Sequence, residues 1–213
     1  MKFLFQVLLR LIFYKAFGRF ISIFVLGVRV TGRERLPKAG PAILIANHNS
    51  HLDTLVLGAL LPFRALPLLS PVASDRYFLR NRCLAWFATH VVGILPVGGA
   101  NGGEAKRSLQ RCSKALEEGQ ILIFFPEGTR GEPEIPSRLK GGIATLAEQH
   151  PNVPMIPVRL SGLGYSLPRG AAIPLPHACY VRVGVPVRWN GSRRAYMHSV
   201  SVEFGVTDAE SCA

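Results

Sequence analysis

Short apolar runs alternate with amphipathic segments along most of the chain. Apolar runs of four to eight residues bounded by turn residues are typical of buried strands, and apolar positions three or four apart are typical of helices. On this basis we predict strands at 42–46, 65–72, 91–97, 121–125 and 155–160, an edge strand at 181–187, and helices at 50–61, 77–90, 104–118 and 140–149. Strands and helices that alternate in this way predict an α/β fold, with a mostly parallel sheet flanked by helices.

The N-terminal segment has a different pattern, because residues 1–33 contain no acidic side chain and their cations interrupt a strongly apolar run. No uncharged window reaches the roughly 18 to 20 residues of a membrane-spanning helix. At helical spacing the polar residues form two stripes, which are Lys2, Gln6 and Arg10, and then Lys15, Arg19, Ser22 and Arg29. The stripes predict two amphipathic helices with a break near Gly18, lying in the membrane interface with cationic faces toward anionic headgroups. A single tilted span and a cleaved signal peptide are the alternatives.

Changes in the pattern of apolar and polar residues divide the chain into three parts. Residues 1–28 form the predicted membrane-interacting helical segment, and Pro37, Gly40 and Pro41 mark a turn before the first strand. The alternating pattern places the α/β domain at 29–190. Residues 191–213 are predicted to be an irregular C-terminal tail.

Composition limits the function classes. The 213 residues, 48% of them hydrophobic, are enough for one well-buried domain. The formal net charge of +12 predicts an anionic partner, which phospholipid headgroups, a phosphorylated substrate or nucleic acid would all provide. The chain lacks the aromatic and basic interleaving of nucleic-acid modules and the GxSxG nucleophile elbow of serine hydrolases. Its four cysteines show no metal-ligand spacing, so we predict no metal site.

The first candidate constellation is the segment 47–53, directly after the first predicted strand. His48 in this loop can meet Asp53 only if Asp53 lies in the first turn of the following helix, a geometry that a capping box with Ser50 would produce. An aspartate that accepts from one imidazole nitrogen leaves the other free to take a proton from an alcohol. The alternative is that Asp53 merely caps the helix and His48 is an ordinary loop histidine. We expect His51 to be a surface residue.

The second constellation, 124–130, follows another apolar strand. Gly128 allows close backbone approach, Thr129 offers a hydroxyl, and Arg130 offers a planar fork suited to phosphate. Lys140 opens the next predicted helix and adds a cation near its free N–H groups. The alternative is a surface turn with a solvated arginine.

These segments resemble the glycerophospholipid acyltransferase family, which contains the 1-acylglycerol-3-phosphate acyltransferases. Residues 47–53 match its HX4D motif, and residues 125–130 match its FPEGTR motif in full. Residues 153–158 are similar to its later proline-containing motif, and the resemblance covers about 28–188. It implies that 29–190 is a catalytic domain, with His48 and Asp53 as catalytic residues.

The same resemblance implies acceptor-phosphate or positioning roles for Glu127, Gly128, Thr129 and Arg130. It implies acyl transfer from acyl-CoA or acyl carrier protein to the hydroxyl of a lysophospholipid, first of all 1-acylglycerol-3-phosphate, in phospholipid biosynthesis. No cofactor, metal or nucleic acid is needed by this chemistry. The expected location is the cytoplasmic face of a membrane.

One departure concerns the acceptor, because many family members carry an Asp-Arg pair for its phosphate where this chain has the uncharged segment 93–99. An acyltransferase acting on another lysolipid, such as a lyso-aminolipid, therefore remains an alternative. A non-catalytic membrane-binding protein is the second alternative.

Overall fold

The computed structural model of the chain describes residues 2–75, 81–99, 102–128, 139–167, 175 and 177–205. Its strands are β1 Arg29–Thr31, β2 Ala42–Ala46, β3 Leu69–Ser74, β4 Leu95–Val97, β5 Ile121–Phe124, β6 Met155–Ser161 and β7 Tyr180–Val183. Its α-helices are α1 Lys2–Leu11, α2 Leu52–Leu60, α3 Arg82–Phe87, α4 Gly102–Glu117, α5 Gly142–Gln149, α6 Leu163–Ser166 and α7 Arg193–Phe204.

The strands form one seven-stranded sheet in the order β1-β7-β6-β2-β5-β3-β4. All neighbouring strands are parallel except β6 and β7, which confirms the predicted α/β fold with a mostly parallel sheet. All five residues of the central strand β2 are buried. The reason is that helices cover both faces: α2 and the N-terminal residues pack on one, and α4, α5 and α7 pack on the other.

Five of the predicted elements are confirmed to within two residues at each end. They are the helices at 50–61, 104–118 and 140–149 and the strands at 121–125 and 155–160. The strand at 42–46 is confirmed with identical bounds. Most of these elements are long or largely apolar, which is where periodicity is most informative.

The predicted strand at 65–72 is wrong in its first half. Phe63–Leu68 is a 3₁₀-helix, and β3 begins only at Leu69. A short apolar run does not distinguish a strand from a buried helical turn, and Pro67 has no N–H to donate to a neighbouring strand.

The boundary between the next helix and the strand after it lies further along the sequence than predicted. Of the predicted helix at 77–90, residues 77–80 lie outside the described part of the chain, and the remainder is α3 followed by the π-helical turn Ala88–Val92. The predicted strand at 91–97 is therefore reduced to β4. Gly93 makes the turn between them with a φ of 80°, a left-handed backbone that favours glycine.

β7 covers the first part of the predicted edge strand at 181–187, and Val187 makes only an isolated bridge to Met155. The prediction of an edge position is wrong, because β7 lies between β6 and β1 and the edge strand is β1. Pro186 lacks the N–H that a longer ladder would need. The pattern did not predict β1, whose three residues pair with β7.

The predicted irregular tail at 191–213 is wrong for α7. Ser192 caps this helix by accepting from the N–H of Ala195, and Gly205 ends it in a left-handed conformation. Tyr196, Val200 and Phe204 are four residues apart and all buried against the sheet. The other helix positions are mostly polar, so the three buried residues do not produce a clear apolar periodicity in the sequence.

The predicted break near Gly18 is also wrong. Helical backbone continues from α1 through the π-helical segments Ile12–Gly18 and Ile21–Val25, so residues 2–25 form one N-terminal helix. Gly18 allows close packing instead of a break: a Cβ at this position would lie 3.0 Å from Leu55 Cδ1. Among the described residues, no helix has the length and hydropathy to cross a membrane.

Two cations predicted to face headgroups instead face the domain. Arg10 donates to the carbonyl oxygens of Pro67 and Leu69 at 3.1 and 3.2 Å. Lys15 donates to the carbonyl oxygens of Ala59, at 2.9 Å, and Leu61, at the C-terminal end of α2. The carbonyls that Lys15 contacts lie at the end of α2, where they have no partner within the helix, so Lys15 supplies their hydrogen bonds.

Candidate active site

The two sequence constellations meet at the carboxyl edge of the sheet. The loop after β2 carries His48, and the loop after β5 carries Glu127 and Gly128. Because β2, β5 and β6 run parallel, their carboxyl ends lie side by side. This edge is where open α/β sheets place ligands.

The structure brings His48 and Asp53 into direct contact. His48 Nδ1 lies 2.9 Å from Asp53 Oδ2. The same carboxylate oxygen accepts the backbone N–H groups of Asn49 at 2.7 Å and Ser50 at 2.8 Å. The carboxylate therefore fixes both the imidazole and the loop that carries it. With the proton on Nδ1, the lone pair of Nε2 is available for a substrate proton.

The expected capping box forms only in part. The Asp53 carboxylate reaches back to the N–H of Ser50, as predicted, but α2 begins at Leu52 and the Ser50 hydroxyl accepts from the N–H of Leu52 at 3.3 Å. His51, which precedes α2, is exposed as expected.

Asp53 is completely buried, with an exposed fraction of 0%. Burial raises the pKa of its carboxyl, and the hydrogen bond from His48 and those from Ser50 and Asn49 act in the opposite direction. Its second oxygen, Oδ1, is also buried and accepts no hydrogen bond from the described residues. The charged carboxylate is thus stabilised through one oxygen, to which His48 contributes the side-chain hydrogen bond.

A residue without a predicted role, Asn47, anchors this loop to β6. Its side-chain oxygen accepts the N–H of Leu160 at 2.7 Å, and its Nδ2 donates to the carbonyl of Leu160 at 2.8 Å. Asn49 donates to the same carbonyl at 3.1 Å. The amide of Asn47 thus pairs with the strand as a backbone group would. The one feature of the sequence that could have pointed to this role of Asn47 is its position immediately before His48.

The loop after β5 contacts His48 from a second side. Phe125 stacks on the imidazole, with ring centroids 4.2 Å apart and 24° between the planes. Glu127 is only 6% exposed, and its Oε1 accepts the backbone N–H of His48 at 3.4 Å. The structure therefore places Glu127 as a support of the His48 loop.

Lys140 lies beside Gly128, as the sequence predicted for a cation near this loop. Gly128 has a φ of 76°, a left-handed backbone that favours glycine, and a Cβ there would lie 2.5 Å from Lys140 Nζ, so a larger residue would displace the lysine side chain. Lys140 is exposed, and its backbone N–H donates to the carbonyl of Pro126 at 2.9 Å. Thr129 and Arg130 lie outside the described residues, so their roles stay predictions.

The described residues show no group of three His, Cys, Asp or Glu side chains arranged to hold a metal ion. What they do assemble is a histidine polarised by a buried carboxylate, with one ring nitrogen left for a substrate and an ammonium group at the neighbouring loop. This arrangement can remove a proton from a hydroxyl and attract an anionic group.

The chain is similar to known acyltransferases in sequence and in fold. The sequence profile of the acyltransferase family matches residues 27–161. The Arabidopsis thaliana protein 1-acyl-sn-glycerol-3-phosphate acyltransferase LPAT1, chloroplastic, is 29% identical over 172 residues, which are 78% of this chain and 44% of that protein. A Bacillus subtilis 1-acyl-sn-glycerol-3-phosphate acyltransferase is 30% identical over 136 residues, which are 64% of this chain and 63% of that protein. The chain thus spans less than two thirds of the length of either relative.

The fold is shared with a solved structure. The crystal structure of the 1-acyl-sn-glycerophosphate (LPA) acyltransferase PlsC from Thermotoga maritima matches with a TM-score of 0.67 at 22% identity, and the match covers 91% of this chain and 78% of that one. At this identity the likeness shows the fold alone. The family profile, however, covers well over half of the sequence. The chain therefore belongs to the acyltransferase family.

Proposed function

We propose that this protein transfers a fatty acyl group from a thioester donor to the hydroxyl of a lysophospholipid, with 1-acylglycerol-3-phosphate as the first acceptor to test. The observation that carries the proposal is the 2.9 Å contact between His48 Nδ1 and the fully buried Asp53 carboxylate. The family membership and the names of the relatives support the substrate class.

In the proposed reaction, His48 Nε2 takes the proton of the acceptor hydroxyl while the hydroxyl oxygen attacks the thioester carbonyl carbon. A tetrahedral oxyanion forms, and the C–S bond then breaks. The leaving sulfur takes the proton from the imidazolium, so the products are an ester and a free thiol. Asp53 stabilises the imidazolium between the two proton transfers. No covalent intermediate with the enzyme is needed.

The oxyanion and the acceptor's phosphate both need hydrogen-bond donors or cations. The backbone N–H of Gly128 is used within its own turn, where it donates to the carbonyl of Phe125 at 3.1 Å. We therefore assign anion binding in this loop to the Lys140 ammonium and, as predicted from the sequence, to Arg130. Acyl-CoA and acyl carrier protein are both candidate donors.

The second candidate acceptor is a lysolipid without a terminal phosphate, such as a lyso-aminolipid. The observation in its favour is the end of β4 and the loop after it, where the described residues Val97, Gly98 and Gly99 carry no cation of their own and the guanidinium of Arg111 donates to the carbonyl of Pro96 at 2.9 Å. The N–H of Gly99 donates to the Glu104 carboxylate at 2.9 Å.

We further propose that the N-terminal helix lies on a membrane surface, through its apolar side. Its exposed large apolar side chains are Leu4, Phe5, Leu8, Ile12, Phe17, Phe20, Ile23 and Phe24. A helix that exposes so many large apolar side chains is typical of an interaction site, and a lysolipid acceptor is itself delivered from a membrane. Attraction of cations to headgroups is secondary here, since Arg10 and Lys15 bind carbonyls of the domain. The cytoplasmic face remains our prediction for its location.

The test incubates the purified protein with labelled acyl-CoA, or with acyl carrier protein charged with the same acyl chain. The acceptors are 1-acylglycerol-3-phosphate, other lysophospholipids and lyso-aminolipids, and each product is identified by its mass. We expect a diacylated phospholipid from at least one acceptor. Failure of every donor and acceptor pair would leave the non-catalytic membrane protein as the better account.

A further inference from the structure

The His48 imidazole has a second aromatic ring against its face. Phe125 stacks on it with centroids 4.2 Å apart and an interplanar angle of 24°. The Asp53 carboxylate contacts the imidazole at Nδ1, in the direction of the ring edge. One neighbour thus holds the edge of the imidazole and the other covers its face.

Phe125 is itself held in place. It directly follows β5, its side chain is partly buried, and it packs against the apolar core that includes α2. Its carbonyl oxygen accepts the N–H of Gly128 at 3.1 Å, which closes a tight turn. The ring is therefore a fixed surface for the imidazole.

We propose that Phe125 is a positioning residue of the acyl transfer, acting through His48. Its ring keeps the imidazole plane in the orientation that points Nε2 at the acceptor hydroxyl, and its π face stabilises the imidazolium that forms when Nε2 takes the proton. This inference rests on the proposed role of His48 as general base.

The proposed role of Phe125 differs from ordinary packing in two ways. A single hydrogen bond to Asp53 leaves the imidazole free to tilt about the line through Nδ1, and a stacked ring opposes that tilt. In addition, the face of an aromatic ring carries negative charge density and attracts a cation above it, whereas an aliphatic side chain of similar volume does not. Leucine at position 125 would thus fill the space without favouring the imidazolium.

The experiment compares Phe125→Leu and Phe125→Trp with the wild type, measuring kcat, KM and the pH dependence of kcat/KM. We expect Phe125→Leu to lower kcat by about two- to thirtyfold with KM nearly unchanged, the effect of one partly desolvated cation–π contact. We also expect the acid limb of its pH profile to move to lower pH, because the protonated imidazole is less favoured. Phe125→Trp keeps an aromatic face and should retain the position of the acid limb.

The matched control is Phe124→Leu. Phe124 is adjacent in sequence but packs against the core on the opposite face of the sheet. Its substitution should lower thermal stability without moving the acid limb. The contrast separates a loss of packing from a loss of the contact with His48.

NMR of the His48 ring protons provides a readout that does not depend on activity. In the wild type, the stacked Phe125 ring should shift these protons upfield, and Phe125→Leu should abolish the shift and make the ring titrate at lower pH. An unchanged titration and acid limb in Phe125→Leu, with the ring-current shift lost, would overturn the proposed role. Absence of acyl transfer by the wild type, with the titration changed as expected, would instead overturn the proposed function alone.

Discussion

The two ends of the described chain are both helices that pack on the domain through three positions four residues apart, but their amphipathicity is opposite. The N-terminal helix buries Tyr14, Gly18 and Ser22, and exposes most of its large apolar side chains. Helix α7 buries Tyr196 and two apolar residues one and two turns later, and exposes mainly polar ones. A helix with an apolar outer side is not adapted to water. The comparison indicates that the two faces of the molecule meet different surroundings.

The N-terminal helix is nevertheless part of the folded domain. Tyr14 is fully buried, its ring approaches Gly58 of α2 so closely that a Cβ there would lie 2.2 Å away, and its hydroxyl donates to the carbonyl of Val92 at 2.9 Å. Helix α2 is the helix whose first turn carries Asp53. The predicted boundary at residue 28 therefore separates residues that pack together, and deleting 1–28 would remove core as well as surface.

The largest expected effect comes from removing the buried tyrosine at either end. Tyr14→Ala and Tyr196→Ala should each lower the free energy of unfolding by about 3 to 5 kcal/mol, because both side chains are fully buried and each loses a hydrogen bond as well. Denaturant unfolding in detergent measures the change. If Tyr14→Ala lowered the free energy of unfolding much less than Tyr196→Ala, the N-terminal helix would be only loosely attached to the domain.

A smaller effect, on membrane binding, is expected from substitutions on the exposed side of the N-terminal helix compared with the exposed side of α7. Phe20→Ser combined with Phe24→Ser should weaken binding to phospholipid vesicles by at least about tenfold, because two exposed aromatic side chains are lost from the contact, with little change in unfolding free energy. Vesicle flotation measures the binding. Val202→Ser is the control, since Val202 is exposed on α7 at the other end of the chain. Equal loss in both variants would refute the assignment of the membrane-facing side.

The smallest effect concerns the pH dependence of stability. Burial, with smaller contributions from Arg33 and Arg19, lowers the pKa of Lys15 from its usual 10.5 to about 8. Between these values the unfolded chain binds more protons than the folded one, so the contribution of Lys15 to stability rises with pH across that window. Lys15→Met should therefore flatten the pH slope of the unfolding free energy between about pH 8 and 10.5. Superimposable slopes for the two proteins would contradict this prediction.

The sequence predicted the sheet and the first half of the site for physical reasons. Fully apolar strands such as β2 are buried on both faces, and the short spacing of His48 and Asp53 constrains them to one loop and helix start. The stacking of Phe125 and the support from Glu127 depend on β2 and β5 being neighbours. Contacts between residues so distant in the sequence are set by strand order, which local patterns do not specify.

The local errors have a similar origin. Glycine has a low helix propensity, so Gly18 predicts a break. Its close packing against Leu55 explains why a glycine lies within a continuous helix. In α7, the three buried anchors are outnumbered by polar residues. In both helices tertiary contacts decide a conformation that propensity alone leaves open.

The central claim is that His48 is the general base of an acyl transfer, and one pair of variants tests it most directly. Purified wild type, His48→Ala and His51→Ala are assayed with labelled acyl-CoA and 1-acylglycerol-3-phosphate, with the product identified by mass and folding checked by circular dichroism. We predict that His48→Ala loses transfer by at least about a hundredfold, because general base catalysis contributes roughly 10² to 10⁴, while exposed His51→Ala stays within a few-fold of the wild type. A folded His48→Ala protein that formed product as fast as His51→Ala would contradict the account.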